Sequence, residues 1–377
     1  MKKLIKPSIL SLSLLIIITG SALSPALGEI KKSFPAIDEN IVKLILTLPS
    51  IIIIPFSLLS GKLSLTISKR KIIILAIILY VIGGVGGGCC NNLYVILIFR
   101  AIIGIGAGLL LPLSRSLIAD FYTGNRRTNL MGVSNAVSNL GAVVATLISG
   151  FLASINWRYT FLVYLIGIFV LVLVIVGLPE PPKRKENKNN IKSINHRVLL
   201  ISILTILLNI GFYCSVTNIA IFLESKNIGS SNTAGMAMSS LTLAGFLGGI
   251  ILEKISRALR GFRISISLLI MSIGFITLKY TSNIYTVLLS MFMIGFAQGI
   301  IKPIIFLKVT KVTPKFSNSF SISIISSSVF LGKFLSPIVL DIIGNLFNNN
   351  SIGFLFFFTG ISILFSSFVF FIIKIKH

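Results

Sequence analysis

Long apolar segments recur along the whole chain, and short polar segments separate them. Each apolar segment has about 20 residues, and an α-helix of that length crosses a hydrocarbon core of roughly 30 Å. The segments are apolar at almost every position and do not alternate with period two, so they predict helices and not the strands of a barrel. Twelve membrane helices are predicted, over residues 7–28, 41–61, 72–90, 93–119, 129–153, 159–178, 198–223, 233–252, 263–279, 284–307, 317–344 and 351–373.

One short motif occurs twice in these helices. The segment GIGAGLLLP at 104–112 returns as GFAQGIIKP at 295–303, an offset of 191 residues. The shared positions are Gly104, Gly108 and Pro112 in the first copy and Gly295, Gly299 and Pro303 in the second. Glycines four residues apart let another helix pack closely, and the proline frees a backbone carbonyl and favours bending. The offset predicts an all-α membrane protein made of two pseudo-symmetric six-helix bundles in the same orientation.

A polar segment separates the two halves. Residues 179–197, PEPPKRKENKNNIKSINHR, contain three prolines that end the sixth helix and charges that keep the segment in water. We therefore predict an N-terminal bundle over 1–178, a cytoplasmic basic linker over 179–197 and a C-terminal bundle over 198–377.

The basic charge follows the predicted topology. The chain has 34 Lys and Arg against 9 Asp and Glu, a formal charge of +25. With a cytoplasmic N-terminus, 24 of the cations fall in inner segments, 6 in outer segments and 4 within helices. This is the positive-inside bias, so we predict a multi-pass protein of the cell membrane with both termini in the cytoplasm, and no nucleic-acid partner. The N-terminal MKKLIKPSIL also fits a cleavable signal, but removing it would leave eleven helices and spoil the charge alternation.

Several function classes lack the residues they need. The three cysteines and two histidines follow no metal-ligand spacing, so no metal site and no cofactor are predicted. The two histidines and nine scattered acids form no catalytic cluster, so we predict that the chain is not an enzyme. No GxxxxGK[ST] motif for ATP is present, so energy for transport would come from an ion gradient or the substrate's own.

Charges inside membrane helices are candidates for function, because each costs roughly 2.5 to 3.5 kcal/mol to insert. The predicted transport path combines such cations with the repeated glycines: Arg100, Gly104, Gly108, Gly299, Lys302 and Lys333. Lys333 lies deepest in its helix. Lys302 and Arg115 lie near inner helix ends, where snorkelling to the interface is the alternative. For Arg100 the alternative is pairing with a carbonyl at a helix break.

Proton coupling requires a group that titrates as its surroundings change. The predicted helices place no carboxylate at mid-membrane. Asp341 and Glu29, near outer helix ends, are therefore the proton-coupling candidates, and a solvated loop is the alternative for Glu29.

Two segments of the chain, one in helix four and one between helices two and three, resemble the major facilitator superfamily. Arg100 ahead of the glycine-rich run is similar to that family's fourth-helix pattern. The segment GKLSLTISKRK at 61–71 stands where the family has its signature loop; Leu65 replaces the usual Asp and Ser68 the second Gly. The resemblance spans nearly the whole chain and implies two rocking bundles, with helices three, six, nine and twelve as an outer scaffold. Drug-exporting members often carry GxxxGPxxGG in helix five, and the segment GAVVATLISG at 141–150 departs from it.

The resemblance also implies a cytoplasmic gate. A basic residue of the signature loop, which begins at Gly61, meets an acid at the inner end of helix four, so Lys69 or Arg70 would pair with Asp120. In the second half of the chain the acid is kept as Glu253, and Arg257 follows it. The alternative is that the basic residues at 69–71 serve topology alone.

Together these features predict a secondary active transporter that works by alternating access. We expect proton-coupled efflux of amphipathic small molecules, that is, an antiporter, acting as a monomer in the lipid bilayer. The alternatives are a transporter of an anionic metabolite, or a membrane sensor or scaffold that has lost transport.

Overall fold

The computed structural model describes residues 4–181, 196–258, 260–312 and 318–375, and these residues form helices and short connections. The prediction of twelve membrane helices is confirmed for this part of the chain. The spans are α1 (Ile5–Ser33), α2 (Glu39–Thr66), α3 (Lys69–Cys89), α4 (Leu93–Phe121), α5 (Gly124–Ile155), α6 (Trp157–Gly177), α7 (His196–Ser225), α8 (Ser231–Ala258), α9 (Arg263–Tyr280), α10 (Ile284–Val312), α11 (Asn318–Leu346) and α12 (Ile352–Ile375).

Some helices begin before the apolar run that predicted them. Asp38 caps α2 by accepting a hydrogen bond from the Asn40 backbone N–H at 2.7 Å. Ser68 does the same for the Lys71 N–H at the start of α3, at 3.4 Å. Such caps satisfy N–H groups that the first turn leaves without partners, so the helix extends into polar sequence. The observed starts therefore precede the predicted ones by two or three residues.

The first span is not one continuous helix. It consists of an α-helix Ile5–Ser21, a 3₁₀ turn Ser24–Ala26 and a second α-helix Leu27–Ser33. Pro25 stands at the start of the 3₁₀ turn, where its missing N–H costs least. The break leaves carbonyl groups at the end of Ile5–Ser21 without i+4 partners in that helix.

The chain divides into two compact units, Met1–Asn187 and Lys188–His377. In the first unit α2 and α3 pack on α4, α1 packs on α5, and α3 packs on α6. In the second unit α8 and α9 pack on α10, α7 on α11, and α9 on α12. Each pairing recurs six helices later, so both units share one internal arrangement. Most of the predicted linker, residues 182–195, lies outside the described residues, and its role stays a prediction.

The repeated glycines lie where two helices of one unit approach closely. A Cβ atom added to Gly295 would lie 2.0 Å from the carbonyl oxygen of Leu241, and one added to Gly299 would lie 2.1 Å from that of Gly245. In the first unit a Cβ on Gly108 would lie 2.8 Å from the Cβ of Phe56. The repeat therefore packs α10 on α8 and α4 on α2, because glycine alone leaves room for the facing backbone.

Candidate functional site

Arg100 is fully buried in the first unit and joins four of its helices. Its Nε donates to the carbonyl of Ile45 in α2 at 2.6 Å, and its Nη2 donates to the carbonyl of Thr19 in α1 at 2.8 Å. Its Nη1 donates to the hydroxyl of Tyr164 in α6 at 2.9 Å. The planar guanidinium has its donors arranged in a fork, and it binds three acceptors from three helices at once.

The two carbonyls that Arg100 binds are available because of local sequence. The i+4 partner of Ile45 would be residue 49, and Pro49 has no N–H to donate. Thr19 lies in the last turn before the break of α1, where carbonyls lack intrahelical partners. Arg100 thus donates to carbonyls that a proline and a helix break leave without backbone partners. This agrees with the alternative given above for Arg100, pairing with a carbonyl at a helix break.

Gly104 and Gly108 lie one and two turns further along α4 and face α2. A Cβ on Gly104 would lie 3.0 Å from the Cα of Pro49. Gly299 faces α8 in the corresponding manner. The structure therefore places these three predicted path residues in helix-packing seams.

Lys333 is enclosed by protein in the second unit. Its side chain is 6% exposed, and its ammonium lies 5.1 Å from the centre of the Tyr213 ring in α7. A lysine over an aromatic ring gains a cation–π attraction, which is stronger where water is excluded. Ser336, one turn later, donates to the carbonyl of Ile210 at 2.8 Å and holds α11 against α7. Lys333 therefore points at α7 and not into surrounding lipid.

Lys302 lines a small cavity between α7, α10 and α11. Polar and apolar side chains share the lining, which consists of Thr205, Leu208, Asn209, Gln298, Lys302, Ile305, Phe306 and Val329. The Oε1 atom of Gln298 is buried without a hydrogen-bond partner, and Asn209 donates to the carbonyl of Thr205 at 2.7 Å. A buried acceptor without a partner is uncommon in proteins and suits a site that receives a ligand donor.

The two lysines lie against the same stretch of α7, Lys302 beside Asn209 and Lys333 over Tyr213. Gly332, directly before Lys333, lies close enough that an added Cβ would be 2.9 Å from the Cβ of Asn209. Tyr213 follows Asn209 by one turn of α7. We call Lys302, Lys333, Tyr213, Asn209 and Gln298 the lysine cluster. None of the residues that line its cavity, all within the described part of the chain, is acidic.

Sequence reasoning missed the uncharged members of this cluster. Asn209 and Tyr213 are four residues apart on α7, and Gln298 stands four residues before Lys302 on α10. Residues at this spacing share one helix face. A search for polar residues that recur at spacing four inside apolar helices would have detected them.

The two proton-coupling candidates lie in different surroundings. Asp341 is partly exposed on α11, eight residues after Lys333, and its Oδ2 accepts from Asn345 at 3.5 Å. Eight residues of α-helix correspond to roughly 12 Å along the axis. Glu29 forms an ion pair with Lys32 at 3.3 Å, and its side chain is 33% exposed. Glu29 thus lies at the surface of the first unit.

The predicted gate pair is present at the other end of the first unit. The Lys69 ammonium lies 2.7 Å from Oδ2 of Asp120, and the two side chains are 21% and 5% exposed. Arg70 instead donates to the carbonyl of Ile175 at 2.5 Å. Gly61 is exposed, and a Cβ there would have nothing within 4 Å, so no close contact requires glycine at this position. The side chains of Glu253 and Arg257 lie outside the described residues.

Glu180 is an acid of this region that sequence reasoning did not select. Its carboxylate accepts the backbone N–H groups of Lys69 at 3.0 Å and Arg70 at 3.3 Å, and it also binds the hydroxyl of Ser68. A carboxylate at a helix N-terminus binds unpaired N–H groups and complements the helix dipole. The end of α6 is therefore attached to the start of α3, beside the Lys69–Asp120 pair.

Comparisons of the chain with a family model and with known proteins agree on one family. Residues 9–337 match the family model described as Major Facilitator Superfamily. The chain is 24% identical to the quinolone resistance protein NorA of Staphylococcus aureus (strain MSSA476), over 80% of this chain and 79% of NorA. It is 25% identical to the multidrug transporter protein MdtP of Bacillus subtilis (strain 168), over 41% of this chain; that match spans 28% of MdtP.

Solved structures agree with the fold. A crystal structure of a D-xylose-proton symporter superimposes with a TM-score of 0.78 at 18% identity, covering 98% of this chain and 97% of the symporter. A crystal structure of a mutant of the nucleoside transporter NupG gives a TM-score of 0.80 at 14% identity, covering 97% of this chain and all of that chain. At these identities the likeness concerns the fold.

Proposed function

Because the chain belongs to the Major Facilitator Superfamily, a family of membrane transporters, we propose that it exports amphipathic small molecules in exchange for protons. Access alternates as two six-helix bundles, joined by the basic linker at 179–197, rock about a shared substrate path. The names of the relatives NorA and MdtP, which refer to quinolone resistance and multidrug transport, support export.

The lysine cluster is the observation that carries this proposal. Its cavity combines apolar side chains such as Leu208, Ile305 and Phe306 with the amides of Asn209 and Gln298. Sites for small molecules have this composition, an apolar wall with a few polar groups that fix orientation. The empty space is about 200 Å³, below the roughly 300 to 1,000 Å³ of drug-sized sites, so an amphipathic molecule would enter as the path opens, with its polar group near Lys302.

Asp341 is the first choice for the proton site in this proposal. It stands on α11, the helix that also carries Lys333, so a change in its protonation acts on the helix that binds substrate. Glu29 is the second choice, because its ion pair with Lys32 holds it at the surface.

The charge bias supports a cell-membrane location with both termini in the cytoplasm. In this orientation the Lys69–Asp120 pair lies at the cytoplasmic side and the Asp341 end of α11 at the outer side. We propose that the chain acts as a monomer.

A second candidate function is transport of an anionic metabolite. The lysine cluster favours it, because Lys302 lines a cavity whose described lining holds no acid, and Lys333 lies against the next turn of α7, over Tyr213. The attraction of an anion to an ammonium group is strong where water is excluded, as it is at Lys333, and weaker at Lys302, which is exposed.

Transport by purified protein in liposomes tests both functions. The substrates are a fluorescent amphiphile with a quaternary ammonium and one of similar size with a carboxylate. We expect accumulation in vesicles with an acidic lumen, and loss of that accumulation when a protonophore collapses the gradient. Preference for the carboxylate would favour the anionic candidate. If neither compound moves faster than in protein-free liposomes, the chain is a sensor or scaffold and the transport proposal is wrong.

The proposed gate predicts a charge-reversal effect. Changing Asp120→Lys places two cations together and is expected to shift the balance of states away from closure at the cytoplasmic side. For a partly exposed pair the change is about 1 kcal/mol, roughly fivefold in the equilibrium. The measurement is the labelling rate of single cysteines introduced along the cytoplasmic half of the path.

The matched controls separate the pair from general charge effects. The double variant Lys69→Asp with Asp120→Lys restores attraction and should return labelling toward the original rate. Lys71→Glu changes the exposed neighbour and should leave the rate unchanged. Equal labelling in all four proteins would leave Lys69 and its neighbours with a topological role alone.

A further inference from the structure

A groove runs along the surface of the second unit between α9 and α12. Its lining consists of Ser265, Ile266, Leu269, Ile361, Leu364, Phe365, Ser367, Phe368 and Phe371. The volume inside it is about 560 Å³. Apart from Ile361, near the middle of α12, these residues lie in the halves of α9 and α12 that are next to the loop before α9.

Small residues on the floor and large ones on the rims create the groove. Ser367 donates to the carbonyl of Ser265 at 2.7 Å, and both serines are buried. This contact holds the two helices close, as small polar residues do between membrane helices. Phe365 and Phe368 stand out from α12 and are 69% and 62% exposed. The helices therefore enclose a trough that is apolar along its length.

The inner end of the groove adjoins a strongly basic loop. The ring of Phe262 packs on Phe371 at 5.0 Å, which brings the loop to the end of the trough. Arg263 begins α9, two residues before Ser265. By sequence, the ten residues at 254–263 include four cations and no acid. The side chains of the first three of these cations lie outside those described.

We propose that this groove binds an anionic phospholipid. One acyl chain lies in the trough, and the phosphate lies near Arg263 at the start of α9, beside a segment that is basic by sequence. Charge complementarity selects the occupant, because apolar grooves that end in basic groups on the cytoplasmic side suit anionic headgroups. A zwitterionic lipid fills the same trough without the attraction between headgroup and loop. The proposal is independent of the transported substrate.

The test is lipid retention by the full-length protein. The purified chain is placed in nanodiscs of phosphatidylcholine and phosphatidylglycerol, and bound lipids are counted by native mass spectrometry. Leu269→Trp fills the trough and should abolish selective retention of phosphatidylglycerol. Arg263→Gln should weaken that retention by roughly fivefold, the expected effect of one basic residue at a membrane surface. The shift in Tm that phosphatidylglycerol gives should fall in parallel.

Matched variants in the first unit control for size and charge. Leu75→Trp adds the same bulk to an exposed position of α3, the counterpart of α9, and Lys71→Gln removes an exposed cation near the start of α3. Both should retain phosphatidylglycerol as the original protein does. Equal retention of the two lipids by the original protein overturns the proposal, as does retention by both groove variants. A change from dimer to monomer in Leu269→Trp would also overturn it and assign the groove to a second copy of the chain.

Discussion

Replacing Lys333 with methionine is expected to abolish transport and to leave the protein folded. Methionine keeps an unbranched apolar side chain of similar length, so it fills the space against Tyr213 and loses the charge. Removing a charged partner from a desolvated site costs about 2 to 5 kcal/mol of binding, roughly 30-fold or more in affinity. Transport rate and substrate affinity in liposomes are the measurements, with thermal unfolding of the same samples.

Stability separates this prediction from a structural role for Lys333. A buried lysine carries a desolvation cost, so its removal should leave Tm unchanged or raise it. Lys308→Met removes an exposed cation of α10 outside the lysine cluster and should transport at the original rate. Normal transport by Lys333→Met would remove the lysine cluster from the substrate path.

Replacing Arg100 is expected to destabilise the first unit. Arg100→Ala leaves the carbonyls of Ile45 and Thr19 and the hydroxyl of Tyr164 without their donor. Each buried polar group left without a partner costs about 1 to 3 kcal/mol of stability. Part of that cost is offset, because the variant no longer has to bury the charged guanidinium. Arg100→Lys should also destabilise, because an ammonium cannot reproduce the planar fork. Thermal unfolding of purified protein and the yield of folded protein are the measurements.

Pro49 supplies a sharper test of the same geometry. Changing Pro49→Ala introduces a backbone N–H that can donate to the carbonyl of Ile45. The double variant with Arg100→Ala should therefore be more stable than Arg100→Ala alone. The expected gain is about 1 kcal/mol, the net worth of one hydrogen bond. Arg115→Ala removes an exposed arginine of the same helix and should leave Tm unchanged. If Arg100→Ala keeps full stability and loses transport alone, Arg100 is a coupling residue and not a packing residue.

The Lys69–Asp120 ion pair was predictable from the sequence, because family position and charge pointed to Lys69 or Arg70 as the partner of Asp120. The surroundings of the proposed path residues were less predictable. Charge in an apolar helix correctly indicated that Lys333 lies inside the protein, since insertion into lipid is costly. It gave no sign that Tyr213 would face that lysine, because an aromatic residue is unremarkable in an apolar helix.

The amino-acid sequence by itself determined the number of spans, the duplicated halves and the family. Twelve apolar runs require twelve helices, because a backbone in lipid must satisfy its own hydrogen bonds. The matched glycines predicted close helix contacts, which α4 makes with α2 and α10 makes with α8. These features depend on residues near one another in the chain.

The tertiary structure decided what each polar side chain binds. Arg100 finds partners at residues 19, 45 and 164, and the carboxylate of Glu180 reaches back to the start of α3. Such partners are 55 to 111 residues distant in the chain. They meet because helix packing brings together groups that a proline, a helix break or a helix end has left without partners, and the apolar pattern that defines the spans does not specify which groups will meet.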